Sequence, residues 1–363
     1  MKEDPRFLSE QLITYLGNKR ALLPLIGRGV KTVMQRTGQK KLRIFDAFSG
    51  SGVVSRFFKQ FSRALYSNDL ELYSFILNTC YLANRSEICG DELTQTHAEL
   101  ISAIAEGVRP GFIAELYAPA DDEHIKCGER VFYTRRNAQY LDTARQLINT
   151  LPSQLQAYFL APLLAQASVH TNTSGVFKGF HKNAKGIGQF GGRGKNALSR
   201  ILAPIDIPLP IMSRIECEHH ALQQDATAAA RTLPGLDLAY LDPPYNQHPY
   251  GSNYFMLNLL AEYKRPQNAS RVSGIPTNWN RSAYNTRTTA ADTLSSLITA
   301  ISAPHILISY NSEGFIRPQE MERMLSTHGK VSLMKQDYAT FRGCRNLRNR
   351  APRVCEYLYL LER

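Results

Sequence analysis

Read as a pattern of apolar and polar positions, the chain has two strand-rich stretches separated by a long helical one. An apolar run at 42–48 is followed by an apolar stripe of helical spacing over 53–61, a short run at 64–67 and a second helical stripe over 72–84. From 86 to 212 the strand signal fades. Helical spacing recurs at 93–104 and 137–150, and 154–169 reads as a long apolar helix. Strand patterns return at 214–222 and 236–241. A helix is then predicted at 255–263, another near 289–301, a strand at 305–310 and a helix after Pro318. Two last strands, at 330–338 and 355–361 and joined by a basic stretch at 342–353, read as a hairpin closing the sheet. Strands alternating with helices predict an α/β fold with a mainly parallel sheet. The break in the pattern divides the chain into 1–85, a helical insert at 86–212, and 213–363.

A length of 363 residues suits one core domain with an insertion. The 43% hydrophobic and 20% charged content is that of an ordinary globular protein. No apolar run approaches the ~18 residues of a membrane span, and the opening M-K-E-D-P has no signal-peptide pattern. The six cysteines are scattered without a C-x-x-C pair, so they read as reduced thiols of a cytoplasmic protein. Cys217, His219 and His220 lie together but without a second pair, and read as strand surface rather than a metal site. The net charge of +12 changes the picture more, because it points to a polyanionic partner.

Candidate chemistry centres on L-A-Y-L-D-P-P-Y-N at 238–246. The apolar run is a buried strand, and the proline pair ends it because proline has no ladder donor. Asp242 therefore sits at the carboxyl end of a core strand, where open α/β sheets place their ligands. The prolines restrict the turn, so Asp242, Pro243, Pro244 and Tyr245 form one rigid group. A carboxylate and a main-chain carbonyl together can accept both N–H bonds of a planar aromatic amine, and a tyrosine ring can stack on its base.

The first α/β unit carries S-G-S-G at 49–52 between strand and helix, which lets a ligand approach the backbone. Ser55 stands where a dinucleotide fingerprint has its third glycine. Asp69 follows the glycines by about twenty residues, the usual place of an acid that holds a ribose diol. Upstream, Gly17 and Asn18 predict a tight turn into a helix, with Lys19 placed to meet a carboxylate or phosphate.

Two stretches concentrate the positive charge. Residues 172–200 hold seven glycines, three phenylalanines and the six cations Lys178, Lys182, Lys185, Arg193, Lys195 and Arg200. No acid occurs between Thr143 and Ile205. This composition fits a loop that meets a phosphate backbone and inserts side chains; Phe177, Phe180 and Phe190 argue against a linker. Residues 264–289 are also free of acids and carry Arg271, Arg281 and the single tryptophan, Trp279.

In the order of these parts the chain resembles the α-class adenine-specific DNA methyltransferases of restriction–modification and GATC-type systems. The matching features are Y-L-G-N-K, D-A-F-S-G-S-G, the N-D acid, a target-recognition insert, D-P-P-Y and a C-terminal E-Y-L strand. The resemblance covers 14–85 and 214–363 well, and the insert only in position and character. It implies a Rossmann-like sheet with a terminal antiparallel hairpin and a mainly helical recognition insert. It further implies S-adenosylmethionine held by Tyr15, Gly17, Asn18, Lys19, Asp46, Phe48, Gly50, Gly52, Asp69 and Asp225. The methyl acceptor would be a flipped-out adenine at Asp242–Tyr245, and the partner double-stranded DNA contacted by the six loop cations with Arg271 and Arg281. An independently acting restriction nuclease, a monomer or weak dimer, and a cytoplasmic, nucleoid-associated location in a bacterium are the further expectations. A different acceptor amine, on cytosine in DNA or adenine in RNA, stays open, as does a DNA-binding module without activity. Asp242 favours adenine, because cytosine-amine enzymes of this type usually have serine before P-P-Y.

Overall fold

In the computed structural model, which describes residues 3–195, 197–339 and 353–363, the apolar runs pair into one seven-stranded sheet. The strands are β1 (Leu42–Asp46), β2 (Ser62–Asp69), β3 (Glu218–Gln223), β4 (Leu238–Leu241), β5 (His305–Asn311), β6 (Lys330–Ala339) and β7 (Arg353–Glu362). Their order is β3-β2-β1-β4-β5-β7-β6. The first five are parallel, and β7 runs antiparallel between β5 and β6. The predicted hairpin is therefore present, with its second strand inserted inside the sheet. The basic connection expected at 342–353 lies, apart from its last residue, outside the described residues, as does Cys344.

The central strands are apolar at successive positions because both faces are covered. Ile44 faces a core shared with the helices Leu23–Thr37 and Val53–Phe58, and Phe45 faces one shared with Ala226–Thr232, Ala290–Ala300 and Pro318–Ser326. On the first face the helix Leu23–Thr37 rides close to the sheet at Gly29. A Cβ there would lie 2.9 Å from Cδ2 of Leu307, so only glycine lets the helix settle on β5 and β7.

The insert is helical as predicted, with Gly90–Ala105, Arg135–Ile148 and Ser153–Val169 as its main helices. The helix Phe112–Tyr117 adds to them; at six residues it is too short to show a period in sequence. These helices build a third core with Leu72–Leu82 and Phe255–Glu262. The packing thus does not stop at residue 212. Tyr117 donates to the Gly274 carbonyl, and Arg145 donates to the carbonyls of Leu260 and Ala261. Residues 254–275 therefore stand against the insert, although they follow β4 in the chain.

The glycine-rich segment 172–200 is not a linker. The Asn172 amide donates to the carbonyls of Val131 and Gln189, and its oxygen accepts from Gly191 N–H. Phe177 donates its backbone N–H to the Asn253 carbonyl, and its ring is buried against Phe132 and Phe255. Phe180 also packs on Phe132. Phe177 is thus a core residue of the insert, in line with the reading that the phenylalanines argue against a linker.

Candidate functional site

The turn after β4 gathers charge from both ends of the sequence. Leu241 is the last ladder residue, and Pro243 and Pro244 carry the chain off the sheet. The Asp242 side chain stays 17% exposed. Its Oδ1 lies 2.9 Å from Nζ of Lys19, and the same Nζ lies 3.1 Å from Oε1 of Glu356 on β7. Lys19 reaches this position because its loop closes on itself, with Gly17 at φ +72° and the Asn18 side chain accepting from Arg20 N–H. Burial opposes the ammonium, yet the two carboxylates hold the Lys19 pKa well above its usual value. Asp242 is pushed up to about 6, chiefly by burial; Lys19 lowers it and Glu356 raises it. Tyr245 lies under the same ammonium, with its ring centre 5.6 Å from Nζ, and its hydroxyl is pushed up to about 12 by burial.

A cavity opens beside this turn along the carboxyl edge of β1, β2 and β4. Of the residues singled out in sequence, Tyr15, Gly17, Phe48, Asp69, Asp225, Asp242 and Pro244 line it. Asp69 ends β2, and its two oxygens accept from the N–H groups of Gly50 and Glu71. Gly50 has φ +52°, and a Cβ there would lie 2.7 Å from the Tyr15 ring. The glycine turn therefore positions Asp69 and Tyr15 and is not itself part of the wall. Gly52, at φ +75°, packs against Asn78 in the same way. Asp225 caps the helix Ala226–Thr232, accepting from the N–H groups of Thr227 and Ala228.

Asp46 is placed differently from its expected role. It is wholly buried below the cavity, where the Ser55 hydroxyl donates to it at 2.6 Å and Ser67 donates to Ser55. Burial raises it to about 7. Ser55 thus replaces the third glycine because it serves as the partner of Asp46.

Sequence reasoning missed several wall residues. Glu71, two positions past Asp69, accepts from the amides of Asn258 and Asn280 and is raised to about 7 by burial. Asn280, Ser282 and Tyr284 come from the segment read only as a basic surface. Tyr250 and Tyr254 stack on Tyr15, with ring centres 5.0 and 4.9 Å away, and hydrogen-bond to Leu16. Only the proximity of Glu71 to Asp69 in N-D-L-E could have flagged one of these.

The donor set suits a nucleoside. Phe48 and Tyr284 offer aromatic surface in an edge-to-face pair at 5.2 Å, and Asp69 and Glu71 offer carboxylates to hydroxyl donors. Two buried wall atoms, Oδ1 of Asn68 and the Tyr284 hydroxyl, have no hydrogen-bond partner among the described residues and can take a polar ligand.

The predicted cations sit apart from this cavity wall. Lys178, Lys185, Arg193, Lys195, Arg271 and Arg281 are exposed, and Lys182 and Arg200 are half-buried. Lys182 rests over Phe180 at 4.9 Å, and Arg281 covers Trp279 at 4.2 Å, next in sequence to the wall residues Asn280 and Ser282. His219 pairs with Glu87 and His220 with Glu218 on the sheet edge. No helix among the described residues is long and apolar enough to cross a membrane.

Curated proteins match the sequence along most of this chain. The chain is 28% identical to the type II methyltransferase M.NlaIII of Neisseria lactamica, over 97% of this chain and 99% of that protein. It is 27% identical to M.CviAII of Paramecium bursaria Chlorella virus 1, over 91% and 93% respectively. With M.FokI of Planomicrobium okeanokoites it shares 27% identity over 96% of this chain but 52% of the relative. The family model for D12 class N6 adenine-specific DNA methyltransferases matches residues 15–324, and the chain belongs to that family.

Proposed function

We propose that this protein is a type II, site-specific methyltransferase. It moves a methyl group from S-adenosylmethionine to the exocyclic amine of an adenine flipped out of duplex DNA. The observation that carries this reading is the placing of Asp242 on one cavity wall with Asp69, Glu71 and Asp225. Bound S-adenosylmethionine would supply an electrophilic methyl group. Asp69, with Glu71 beside it, accepts from the ribose hydroxyls. Phe48, Tyr284 and Asp225 would hold the cofactor's adenine, and Tyr15 and Gly17 would border its methionine end. Asp46, Gly50 and Gly52 support this cradle from behind, and Asn18 closes the turn that carries Lys19.

At the acceptor, the Asp242 carboxylate and the Pro243 carbonyl accept the two amine N–H bonds, and Tyr245 stacks on the base. Their shared work is to direct the nitrogen lone pair and to take up the charge it gains. The base must leave the duplex, because a stacked adenine cannot bring its amine into a cavity at the sheet edge. Lys178, Lys182, Lys185, Arg193, Lys195, Arg200, Arg271 and Arg281 hold the duplex from the insert side. The relatives' type II names extend the proposal to a restriction–modification setting, with a nuclease that acts independently on the same sequence and a monomer or weak dimer as the working form.

The test is to incubate the purified protein with S-adenosylmethionine and unmethylated duplex DNA, then digest to nucleosides and weigh them. N6-methyladenine is expected. N4-methylcytosine would move the acceptor to the other exocyclic amine, and methylation only of RNA would remove DNA as substrate.

A further inference from the structure

A buried glutamate that touches neither the cavity wall nor the base holds the lysine beside Asp242. Glu356 is fully buried on β7, and its Oε1 shares Lys19 Nζ with Asp242. The Ser309 hydroxyl on β5 donates to Oε1 at 2.5 Å, and Asn311 lies at 3.5 Å from Oε2. An ion pair between one lysine and one aspartate would draw the aspartate's electrons toward the ammonium and make it a weaker acceptor. Two carboxylates sharing one ammonium leave a net negative charge, so neither is fully neutralised. An isolated second carboxylate would be costly to bury here, and Lys19, Ser309 and Asn311 are among the groups that hold Glu356.

The same geometry selects an oxygen. Lys19 occupies Oδ1 of Asp242 and is the side-chain hydrogen-bond partner found for this carboxylate among the described residues, which leaves Oδ2 for another donor. Asp242 lines the cavity, and Lys19 does not. The charged and titratable groups facing Asp242 are Lys19, Glu356 on β7 and Asp46 on β1, together with the hydroxyls of Tyr240, Tyr245 and Tyr250.

We propose that Glu356 is a positioning residue for methyl transfer, acting through Lys19. It holds the ammonium on Oδ1 so that Oδ2 faces the acceptor amine, and by sharing that ammonium it keeps Asp242 a strong acceptor. The proposal rests on the methyltransferase reading above. In the step itself, the amine nitrogen forms its bond to the methyl carbon as the carbon–sulfur bond breaks, the pair leaving with sulfur. The nitrogen's surplus proton passes to Asp242 Oδ2 and then to water. Asp242 must begin ionised, and the charge of Glu356 raises the pH at which this is achieved.

The test is Glu356→Gln, which keeps the size and one acceptor but removes the charge. Single-turnover methyl transfer is expected to fall about tenfold to hundredfold, the scale of a misplaced catalytic group. Cofactor affinity and KM for DNA should stay within about threefold, and the acid limb of the pH–rate profile should move to lower pH. Ser309→Ala removes only the hydroxyl that anchors Glu356 and should give a smaller rate loss, again without loss of cofactor affinity; it decides the matter if Glu356→Gln does not fold. Rates within twofold of wild type in both variants, with an unmoved acid limb, would overturn the proposal. So would a rate loss matched by an equal loss of cofactor affinity, which marks a merely structural role. If the wild type methylates no adenine, the functional reading fails and this proposal falls with it. Normal adenine methylation with indifferent variants removes Glu356 alone.

Discussion

The carboxyl edge of the sheet and the glycine-rich segment 172–200 are both held by buried polar residues, but they hold different things. At the sheet edge the fixed groups are the ones proposed to hold the reactants. Asp69 is pinned by two backbone N–H groups, and Asp242 by Lys19. In the glycine-rich segment the fixed group is Asn172, which ties backbone to backbone, while Lys178, Lys185, Arg193 and Lys195 project from it into solvent. Chemistry that must place an atom within a fraction of an ångström needs rigid side chains. A surface that adapts to a phosphate backbone needs only a rigid platform under mobile cations.

The sharpest break of this comparison is Asp242→Ala. Methyl transfer should fall by at least about a hundredfold to a thousandfold, as for loss of one preorganised polar group, while cofactor affinity changes little. Single-turnover rates and a binding titration, run on the same preparation, read the two effects separately. Near-normal transfer would show that the sheet edge is not the acceptor site.

Asp69→Ala should give the converse. Charge-assisted hydrogen bonds of about 1.5–3 kcal/mol predict a loss of cofactor affinity of about tenfold to a hundredfold, with DNA affinity unchanged. A cofactor dissociation constant equal to wild type would separate Asp69 from the nucleoside.

Single alanine substitutions at Lys178, Lys185 and Arg193 should act on the other region, and more weakly. Removing one cation from a phosphate should lower the magnitude of the salt slope of DNA binding by about one, equally on cognate and scrambled duplexes. A change confined to one base pair of the target would instead make that cation a reader of sequence.

The smallest effect concerns stability. Burial raises Asp46 and Glu71 to about 7 and Asp242 to about 6, all above their unfolded values near 4. Between those limits the folded protein binds more protons than the unfolded chain. The stability these groups contribute is fully present below about pH 4 and is lost as pH rises through 6 to 7. The urea midpoint of the cofactor-free protein should therefore be lower at pH 8 than at pH 5.5 on their account, and Asp46→Asn should flatten that slope.

How much of this was legible in sequence follows the same division. The strand Leu238–Leu241 and its proline stop were plain, because an unbroken apolar run ending in two prolines has few other readings. The acid after β2 and the closing hairpin were also plain. Asp46 was drawn into the cofactor set by its place in D-A-F-S-G-S-G, yet its carboxylate turns down to Ser55. Phe177 argued against a linker in sequence, but only the fold shows that Asn253 and Phe255 receive it. Glu356 stood in the sequence only as the first residue of the E-Y-L strand, with nothing to mark its role. It sits inside a strand whose other charged residues, Arg353 and Glu362, lie at its ends, and its partner Lys19 lies at the far end of the chain.

That last pairing has a consequence for the order in which the protein becomes active. The strand that carries Glu356 is synthesised after the other six described strands, yet it enters the sheet between β5 and β6 rather than adding to an edge. A nascent chain can form the parallel strands and the nucleoside cradle while still attached to the ribosome. The triad of Lys19, Asp242 and Glu356 can close only once residues near 356 have left the exit tunnel. Long-range closure of this kind is slow to nucleate, and it makes the finishing of the active site a late event in folding. Within a cell, unfinished chains would then carry the proposed cofactor pocket without the completed Lys19–Asp242–Glu356 triad.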